Sequence, residues 1–270
     1  MARSIGFDSQ EKVERYDRNS DHQYQKGLAL IAMMNIKKGD AVLDEGCGTG
    51  RLALDISGII GRSGTLTGID HSPYCIDVAK RKFGVTPAAN VRFIVGRAED
   101  LGALADSTFD HAYFCSSFHW VDDKKAALRE TYRVLKPEGN VGMTTLDRSH
   151  SSGMRLVISG VLEKYGVIIP PRRMESGIKR VTEDELETLM ADAGFTDISI
   201  DLRTVKRYHE TPEAVLELHD GTFSGSMKDM PEELKRDIER DILDELENRR
   251  TPEGIEFESK TLFAIAVKPV

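Results

Sequence analysis

The chain is poor in cysteine. Its three cysteines, Cys47, Cys75 and Cys115, lie far apart and have neither the paired spacing of a zinc site nor that of a disulfide framework. The sequence therefore predicts reduced thiols and no metal centre. It also lacks a signal-peptide core and any apolar run long enough to cross a bilayer, which predicts a cytoplasmic protein with no membrane partner.

Positive charge is also scarce. Lys and Arg together number 37 against 45 Asp and Glu, which gives a net charge of −8. Such a chain repels polyanions at long range, so nucleic acid is disfavoured as a partner. Of the 270 residues, 40% are hydrophobic and 30% are charged, a composition that supports one sizeable core.

Short apolar runs alternate with helical patterns. The apolar runs occupy residues 41–43, 66–69, 91–95, 112–114 and 141–143, and the helical patterns between them occupy residues 51–60, 73–83 and 122–135. This alternation predicts a Rossmann-like, doubly wound α/β sheet that is mainly parallel and covered by helices on both faces. The segment from Asp8 to Ile36 becomes apolar towards its end, as in a helix docked at one end.

The second half of the chain contains a capping box. Thr182 precedes Glu185 by three residues at the start of a helical pattern that ends near Gly194, and a strand pattern follows. Another helix is expected between Pro231 and Arg249, and an antiparallel strand at the end. We divide a single domain into residues 1–36 (N-terminal lid segment), 37–146 (core), 147–181 (insertion), 182–205 (core helix and strand), 206–258 (helical insertion) and 259–270 (last strand).

A glycine-rich turn, Asp44-Glu45-Gly46-Cys47-Gly48-Thr49-Gly50, follows the first predicted strand. Glycine lacks a β-carbon, so a ligand can approach the backbone closely, and we expect the turn to direct free amides at it. The dinucleotide fingerprint requires glycine or alanine where this chain has Arg51. Asp44 would repel a pyrophosphate and attract an ammonium. The turn therefore favours S-adenosylmethionine, which carries an ammonium and no phosphate.

A second acidic residue, Asp70, ends the next predicted strand. Nucleotide-binding folds place a carboxylate against ribose hydroxyls at about this spacing. The alternative is a loop aspartate that caps the following helix, although Ser72 is the better candidate for that cap.

These motifs resemble those of the class I S-adenosylmethionine-dependent methyltransferases over nearly the whole chain. Within that class they resemble the small-molecule group with a His-Trp pair after the fourth strand. The matching stretches are VLDEGCGTG (42–50), GID (68–70), GRAEDL (96–101), the stretch from Phe109-Asp110 to His119-Trp120, and RVLKPEG (133–139). The resemblance implies transfer of a methyl group from S-adenosylmethionine to a small-molecule acceptor by in-line displacement.

The resemblance also implies where the cofactor binds. The methionine end would lie against Asp44 and the glycine turn, the ribose at Asp70, and adenine beside Ala98 and Glu99. The implied cofactor-binding residues are Asp44, Gly46, Cys47, Gly48, Gly50, Asp70, His71, Ala98, Glu99, Cys115 and Ser116. Asp110 is expected to order its strand and not to contact the ligand.

One position departs from the family. Many relatives have Asp where this chain has Arg97, and that Asp accepts a hydrogen bond from the adenine amino group. Arginine has no acceptor atom, so adenine must rely on backbone groups or on Glu99.

Four aromatic residues are candidates for the acceptor side. His119 either orients or deprotonates the acceptor or has a structural role, and Trp120 either packs in the core or contacts substrate. Tyr16 and Tyr24 belong to the N-terminal segment that by resemblance covers the cofactor, although amphipathic packing alone also explains them. The basic cluster of Arg172, Arg173, Lys179 and Arg180 is interpreted as a solvated loop, or else as a gate for an anionic substrate.

Three alternative functions stay open. One is a methyltransferase acting on RNA or protein, although the Asn-Pro-Pro-aromatic motif of nucleic-acid amino-methylating enzymes is replaced here by Cys115-Ser116-Ser117-Phe118. Another is a nicotinamide-dependent oxidoreductase, which Asp44 and Arg51 oppose. The third is a binding module without activity, because methyl transfer requires no diagnostic catalytic residue. The acceptor atom and the oligomeric state are not predicted.

Overall fold

The computed structural model describes residues 9–84, 90–150, 153–167, 179–216, 227 and 230–270. Arg172 and Arg173 of the predicted basic cluster, and the first eight residues of the predicted lid segment, lie outside these ranges. Within the described part of the chain, no helix combines the length and the apolar character needed to cross a membrane.

The first half of the chain alternates helices and strands. The elements are α1 (Gln10–Asn19), α2 (Asp21–Met34), β1 (Ala41–Glu45), α3 (Arg51–Ile60), β2 (Thr65–Asp70), α4 (Pro73–Gly84), β3 (Val91–Val95), β4 (Phe109–Cys115), a 3-10 turn (Phe118–Trp120), α5 (Lys124–Val134) and β5 (Leu135–Leu146). The second half contains α6 (Gly153–Lys164), α7 (Glu183–Asp192), β6 (Thr196–His209), α8 (Glu232–Glu247), β7 (Arg250–Thr251) and β8 (Gly254–Val267).

The strands form one eight-stranded sheet. Its order is β3-β2-β1-β4-β5-β8-β6, and β7 pairs with β8 off this path. The four pairings among β1 to β5 are parallel, and β8 pairs antiparallel with β5. The predicted fold class is therefore confirmed.

Apolar side chains bury both faces of the sheet. Leu43 of β1 lies in a cluster with Leu128 of α5 and Leu186 of α7. Its neighbour Val42 lies in a second cluster with Ile56 of α3 and other residues from α2 and α4. Because successive side chains of a strand point to opposite faces, a single strand supplies both cores.

The predicted capping box is present at the start of α7. Thr182 Oγ1 accepts a hydrogen bond from the Glu185 amide at 3.2 Å, and Glu185 Oε2 accepts one from the Thr182 amide at 3.0 Å. The N-terminal segment differs from the expectation of one helix, because it forms α1 and α2 with a break at Ser20. The Ser20 hydroxyl donates to the Asp17 carbonyl at 3.2 Å and accepts from Arg51 at 3.0 Å. These side-chain bonds compete with helical ones.

The chain divides into two compact units. The first contains residues 1–147, 179–202 and 261–270, and the second contains residues 148–178 and 203–260. In the second unit, Ile238, Ile242 and Leu246 form a buried stripe along α8, within an apolar cluster that includes Val157 and Phe257. The idea that the two predicted insertions enclose the acceptor stays a prediction.

Candidate active site

A cavity lies where β1, β2 and β4 reach their carboxyl ends. Gly46 and Gly48 follow β1, Asp70 ends β2, and Cys115 ends β4. Ligands of open α/β sheets bind at this edge. The sequence-predicted residues that line the cavity are Tyr16, Gly46, Gly48, Asp70, His71, Ala98, Glu99, Cys115, Ser116 and Trp120. The predicted residues that do not line it are Tyr24, Asp44, Cys47, Gly50 and His119.

The glycine turn exposes backbone atoms to the cavity, because its glycines have no side chains. Gly46, Gly48 and Gly50 have φ values of 81°, 54° and 72°. A β-carbon on Gly46 would lie 2.3 Å from Ser117 Cβ, so this glycine permits a close approach of two loops. A β-carbon on Gly48 would meet no atom within 4 Å. Gly48 therefore presents bare backbone to open space, which a ligand can contact closely.

The expectation of free amides in the turn is wrong. The Gly46 and Cys47 amides donate to the Ile69 carbonyl at 2.7 and 2.9 Å, and the Gly50 amide donates to the Cys47 carbonyl at 3.0 Å. The Gly48 amide donates to Asp70 Oδ2 at 2.9 Å. These bonds fasten the turn to the end of β2. A phosphate site needs unpaired N–H groups, which these four residues do not offer.

Asp44 lies behind the turn and is only 2% exposed. Burial raises the pKa of this carboxyl to about 7; the facing Tyr113 hydroxyl partly offsets the rise and the nearby Asp70 carboxylate adds to it. Because this pKa is close to neutral pH, Asp44 is only partly ionised there, and a cation placed beside it would favour the ionised form.

Asp70 is held by the backbone at the end of β2. Its Oδ2 accepts from the Gly48 amide, and its Oδ1 accepts from the Ser72 amide at 2.8 Å. His71 Nδ1 lies 3.5 Å from Oδ1. Ser72 Oγ accepts from the Cys75 amide at 3.3 Å and caps α4, so Asp70 is not the cap. The carboxyl is thus fixed in orientation where it faces the cavity.

The region around Ala98 is polar and tied by ion pairs. Arg97 donates to Glu99 Oε1 at 3.2 Å and to Asp122 Oδ2 at 3.0 Å. The Asp122 amide also donates to Glu99 Oε1 at 3.0 Å. Because Oε1 already accepts two hydrogen bonds, a ligand amino group would use Oε2 of Glu99 if it binds this side chain.

The opposite end of the cavity is formed by Cys115 and Ser116. The Ser116 amide donates to Thr144 Oγ1 at 3.0 Å, and Ser116 has a φ of 55°, a strained value for a residue other than glycine. Burial raises the pKa of the Cys115 thiol to about 11. Asp110 accepts from the Ala41 amide at 2.8 Å and pairs with Lys136 at 2.8 Å, so it orders the strands as expected.

Comparison with known proteins identifies the chain. A methyltransferase-domain family model matches residues 43–143. A demethylmenaquinone methyltransferase of a Geobacillus species is 29% identical over 206 residues, covering 70% of this chain and 88% of that protein. The demethylmenaquinone methyltransferase of Staphylococcus aureus is 32% identical over 217 residues, covering 71% of this chain and 88% of that protein.

The chain belongs to the S-adenosylmethionine-dependent methyltransferases.

This methyltransferase has the fold of solved relatives. The YcgJ protein of Bacillus subtilis superimposes with a TM-score of 0.64 at 20% identity, covering 92% of this chain and 99% of that one. The predicted enzyme class and the predicted cofactor, S-adenosylmethionine, are confirmed. The oxidoreductase alternative is therefore discarded. Gly48, which faces open space between Asp70 and Cys115, suits a cofactor that needs close backbone contact and no phosphate site.

Two predicted acceptor residues of the methyltransferase lie outside the cavity lining. The Tyr24 hydroxyl donates to Asp55 of α3 at 3.1 Å, and Arg51 lies over the Tyr24 ring at 4.9 Å from its centroid. His119 is 5% exposed, and its carbonyl accepts from the Lys179 amide at 2.7 Å. Tyr24 is therefore held against α3, and His119 is buried in the 3-10 turn. Tyr16 and Trp120 do line the cavity.

Eight lining residues were not predicted as site residues. They are Glu45, Ile69, Cys75, Gly96, Arg97, Phe114, Ser117 and Val121. Glu45 is the most informative, because a carboxyl inside a glycine turn that follows a buried strand is a visible anomaly in the sequence. Ser117 directly follows the predicted Ser116, whereas Cys75 lies in α4, four residues after His71, and no pattern in the sequence marks either residue.

Proposed function

We propose that this methyltransferase methylates a small aromatic acceptor of the naphthoquinol kind. The two relatives described above are named for demethylmenaquinone, and a third, from Arabidopsis thaliana, is named for a 2-phytyl-1,4-naphthoquinone. We also propose, from His119 and Trp120, that the enzyme belongs to the small-molecule group with a His-Trp pair after the fourth strand. Tyr16 and Trp120 give the cavity two aromatic walls against which a flat ring can pack.

We propose that the cofactor binds along this cavity. Gly48 supports this position, since its bare backbone lies between Asp70 and the Cys115–Ser116 pair. The ribose hydroxyls then lie at Asp70, adenine lies towards Ala98 and Glu99, and the methionine end lies towards Cys115. Asp44, behind the turn, holds the ammonium through its charge.

When bound, S-adenosylmethionine supplies a methyl group on a positively charged sulfur. The chain's residues then align the two reactants and exclude water. A thiolate beside this centre would compete for the methyl group, but the raised pKa of Cys115, about 11, keeps its thiol neutral at physiological pH. Burial raises the pKa of Cys75 as well, to about 12. Neither cysteine of the cavity lining therefore offers a thiolate to the methyl group.

The proposal is tested with methyl-labelled S-adenosylmethionine. We expect label to enter a short-chain 2-prenyl-1,4-naphthoquinol in a reductant-containing assay, and we expect calorimetry to show binding of S-adenosylhomocysteine and little or no binding of NAD. The matched control is the same naphthalene ring with both hydroxyls methylated, which should take up no label. Label entering RNA or protein fractions, and none entering any naphthoquinol, would contradict the proposed acceptor.

A further inference from the structure

Helix α1 brings Tyr16 to the cavity but has little apolar attachment to the core. Among its described side chains only Val13 is buried, in a small cluster with Cys75 and Val78 of α4. A helix with so little buried apolar surface depends on other contacts for its position.

Several polar and charged contacts of α1 converge on Asp17. Lys82 of α4 lies 2.6 Å from Asp17 Oδ1, and Thr49 of the glycine turn donates its hydroxyl to the same oxygen. Arg51, the first residue of α3, donates to the Asp17 carbonyl at 3.1 Å. One residue therefore joins α1 to the turn, to α3 and to α4.

The Asp17 contacts are more sheltered than the other ion pair between α1 and α4. The side chains of Asp17 and Lys82 are 22% and 26% exposed, whereas those of Glu14 and Arg81 are 42% and 58% exposed and lie 3.3 Å apart. Charge-assisted bonds to a sheltered carboxylate are stronger than exposed ion pairs, which contribute little. Asp17 is also next in sequence to Tyr16, so its position fixes that of the tyrosine.

We propose that Asp17 is a positioning residue that holds α1 closed over the cofactor cavity and thereby sets how long the cofactor stays bound. This rests on the proposed placement of S-adenosylmethionine in that cavity. Asp17 acts through Tyr16 and Thr49, since it bonds to the turn on one side and carries the cavity-lining tyrosine on the other. Opening of α1 then requires the Asp17 contacts to break together.

The chain's single tryptophan, Trp120, lines the cavity and supplies the signal for a test. Stopped-flow fluorescence of the full chain is recorded with increasing concentrations of S-adenosylhomocysteine. When the observed rate is plotted against ligand concentration, the slope gives the association rate and the intercept gives the release rate. In Asp17→Asn we expect release to be faster by about ten- to a hundredfold, the equivalent of one charged hydrogen bond, with association within about threefold of wild type. The matched control, Glu14→Gln, should release within about twofold of wild type.

Two further measurements separate positioning from general stability. Raising the salt concentration should speed release from wild type more than from Asp17→Asn, because salt screens the partly exposed Asp17–Lys82 pair. Lys82→Met should reproduce part of the effect, and the double variant should fall short of the product of the two single effects. This second variant also keeps the test valid if Asp17→Asn does not fold.

The outcomes are distinct. The proposal would be overturned if folded Asp17→Asn released the ligand at the wild-type rate, or if Glu14→Gln raised the release rate equally. If Asp17→Asn does not fold, an unchanged release rate in Lys82→Met would overturn it. Failure of the wild-type protein to bind S-adenosylhomocysteine would instead overturn the proposed placement of the cofactor.

Discussion

Replacing Glu45 by Met is expected to stabilise the protein, and to do so increasingly as pH rises. Glu45 is 1% exposed, and its Oε2 has no hydrogen-bond partner among the described residues. Burial raises its pKa well above the ordinary value of 4.5; Thr131 partly offsets the rise, and nearby carboxylates such as Asp44 add to it.

The hydroxyl of Thr131 compensates little for the burial of Glu45. Thr131 Oγ1 lies 2.8 Å from Glu45 Oε1 and 2.9 Å from the Ala127 carbonyl. A hydroxyl has one hydrogen, and a carbonyl cannot donate. Thr131 therefore shares its one hydrogen between Ala127 and Glu45, so Glu45 receives only a weak hydrogen bond. Met removes the carboxyl and leaves the bond from Thr131 to Ala127 intact.

The sign of the pH dependence follows from the raised pKa. Below about pH 4.5 both folded and unfolded wild type hold this proton, so Glu45 adds no pH-dependent penalty. Above it the unfolded chain loses the proton first, and the free energy of unfolding falls by about 1.4 kcal/mol per pH unit until the folded carboxyl also ionises. Glu45→Met lacks this loss. Its advantage should therefore grow as pH rises above 4.5, by at most about 1.4 kcal/mol per pH unit, and each 1 kcal/mol corresponds to about 2 to 4 °C in Tm.

Thermal unfolding of both proteins from pH 4.5 to 8 measures this difference. Other buried acids titrate in both proteins and cancel. Glu130→Gln is a control of opposite sign, because its hydrogen bond with Arg133 lowers the Glu130 pKa. That bond contributes stability at neutral pH that is lost on acidification. A difference between Glu45→Met and wild type that stays constant with pH would refute the reasoning, since it would mean that folded Glu45 is ionised throughout.

Two predictions concern the cofactor. Because the pKa of Asp44 is about 7, the affinity of wild type for S-adenosylmethionine should rise from pH 5.5 to 7 as the carboxyl ionises, and Asp44→Asn should abolish this rise in calorimetry; an equal rise in the variant would exclude Asp44 as its source. Asp70→Ala should weaken binding of S-adenosylhomocysteine about ten- to a hundredfold through loss of ribose hydrogen bonds, with circular dichroism unchanged, whereas full affinity in a folded variant would make Asp70 purely structural.

Much of the fold could be predicted because the relevant signals are local. The strand and helix alternation, the Thr182 capping box and the α8 stripe each depend on residues within a few positions of one another. The break at Ser20 could not be predicted in this way. It depends on Arg51, which is distant in sequence and bonds both Ser20 and the Asp17 carbonyl.

The sequence predicted most of the residues near the site, but it did not predict which of their side chains face the cavity. The motif residues around Gly48, Asp70 and Cys115 do line one cavity, because parallel strands end at one edge of the sheet. Whether a side chain at such an end faces the cavity depends on packing that no short pattern records. His119 shows this, since it directly precedes the cavity-lining Trp120 and yet is buried within its own turn.

The occupied amides of the glycine turn bear on selectivity inside a cell. ATP and NAD share adenosine with S-adenosylmethionine, so contacts to adenine and ribose cannot tell them apart. Discrimination has to occur at the other end of the ligand. There the backbone from Gly46 to Gly48 has already given its N–H groups to Ile69 and Asp70, and the buried Asp44 carboxyl lies behind the turn. We therefore expect phosphorylated adenosine compounds to compete poorly with S-adenosylmethionine for this site.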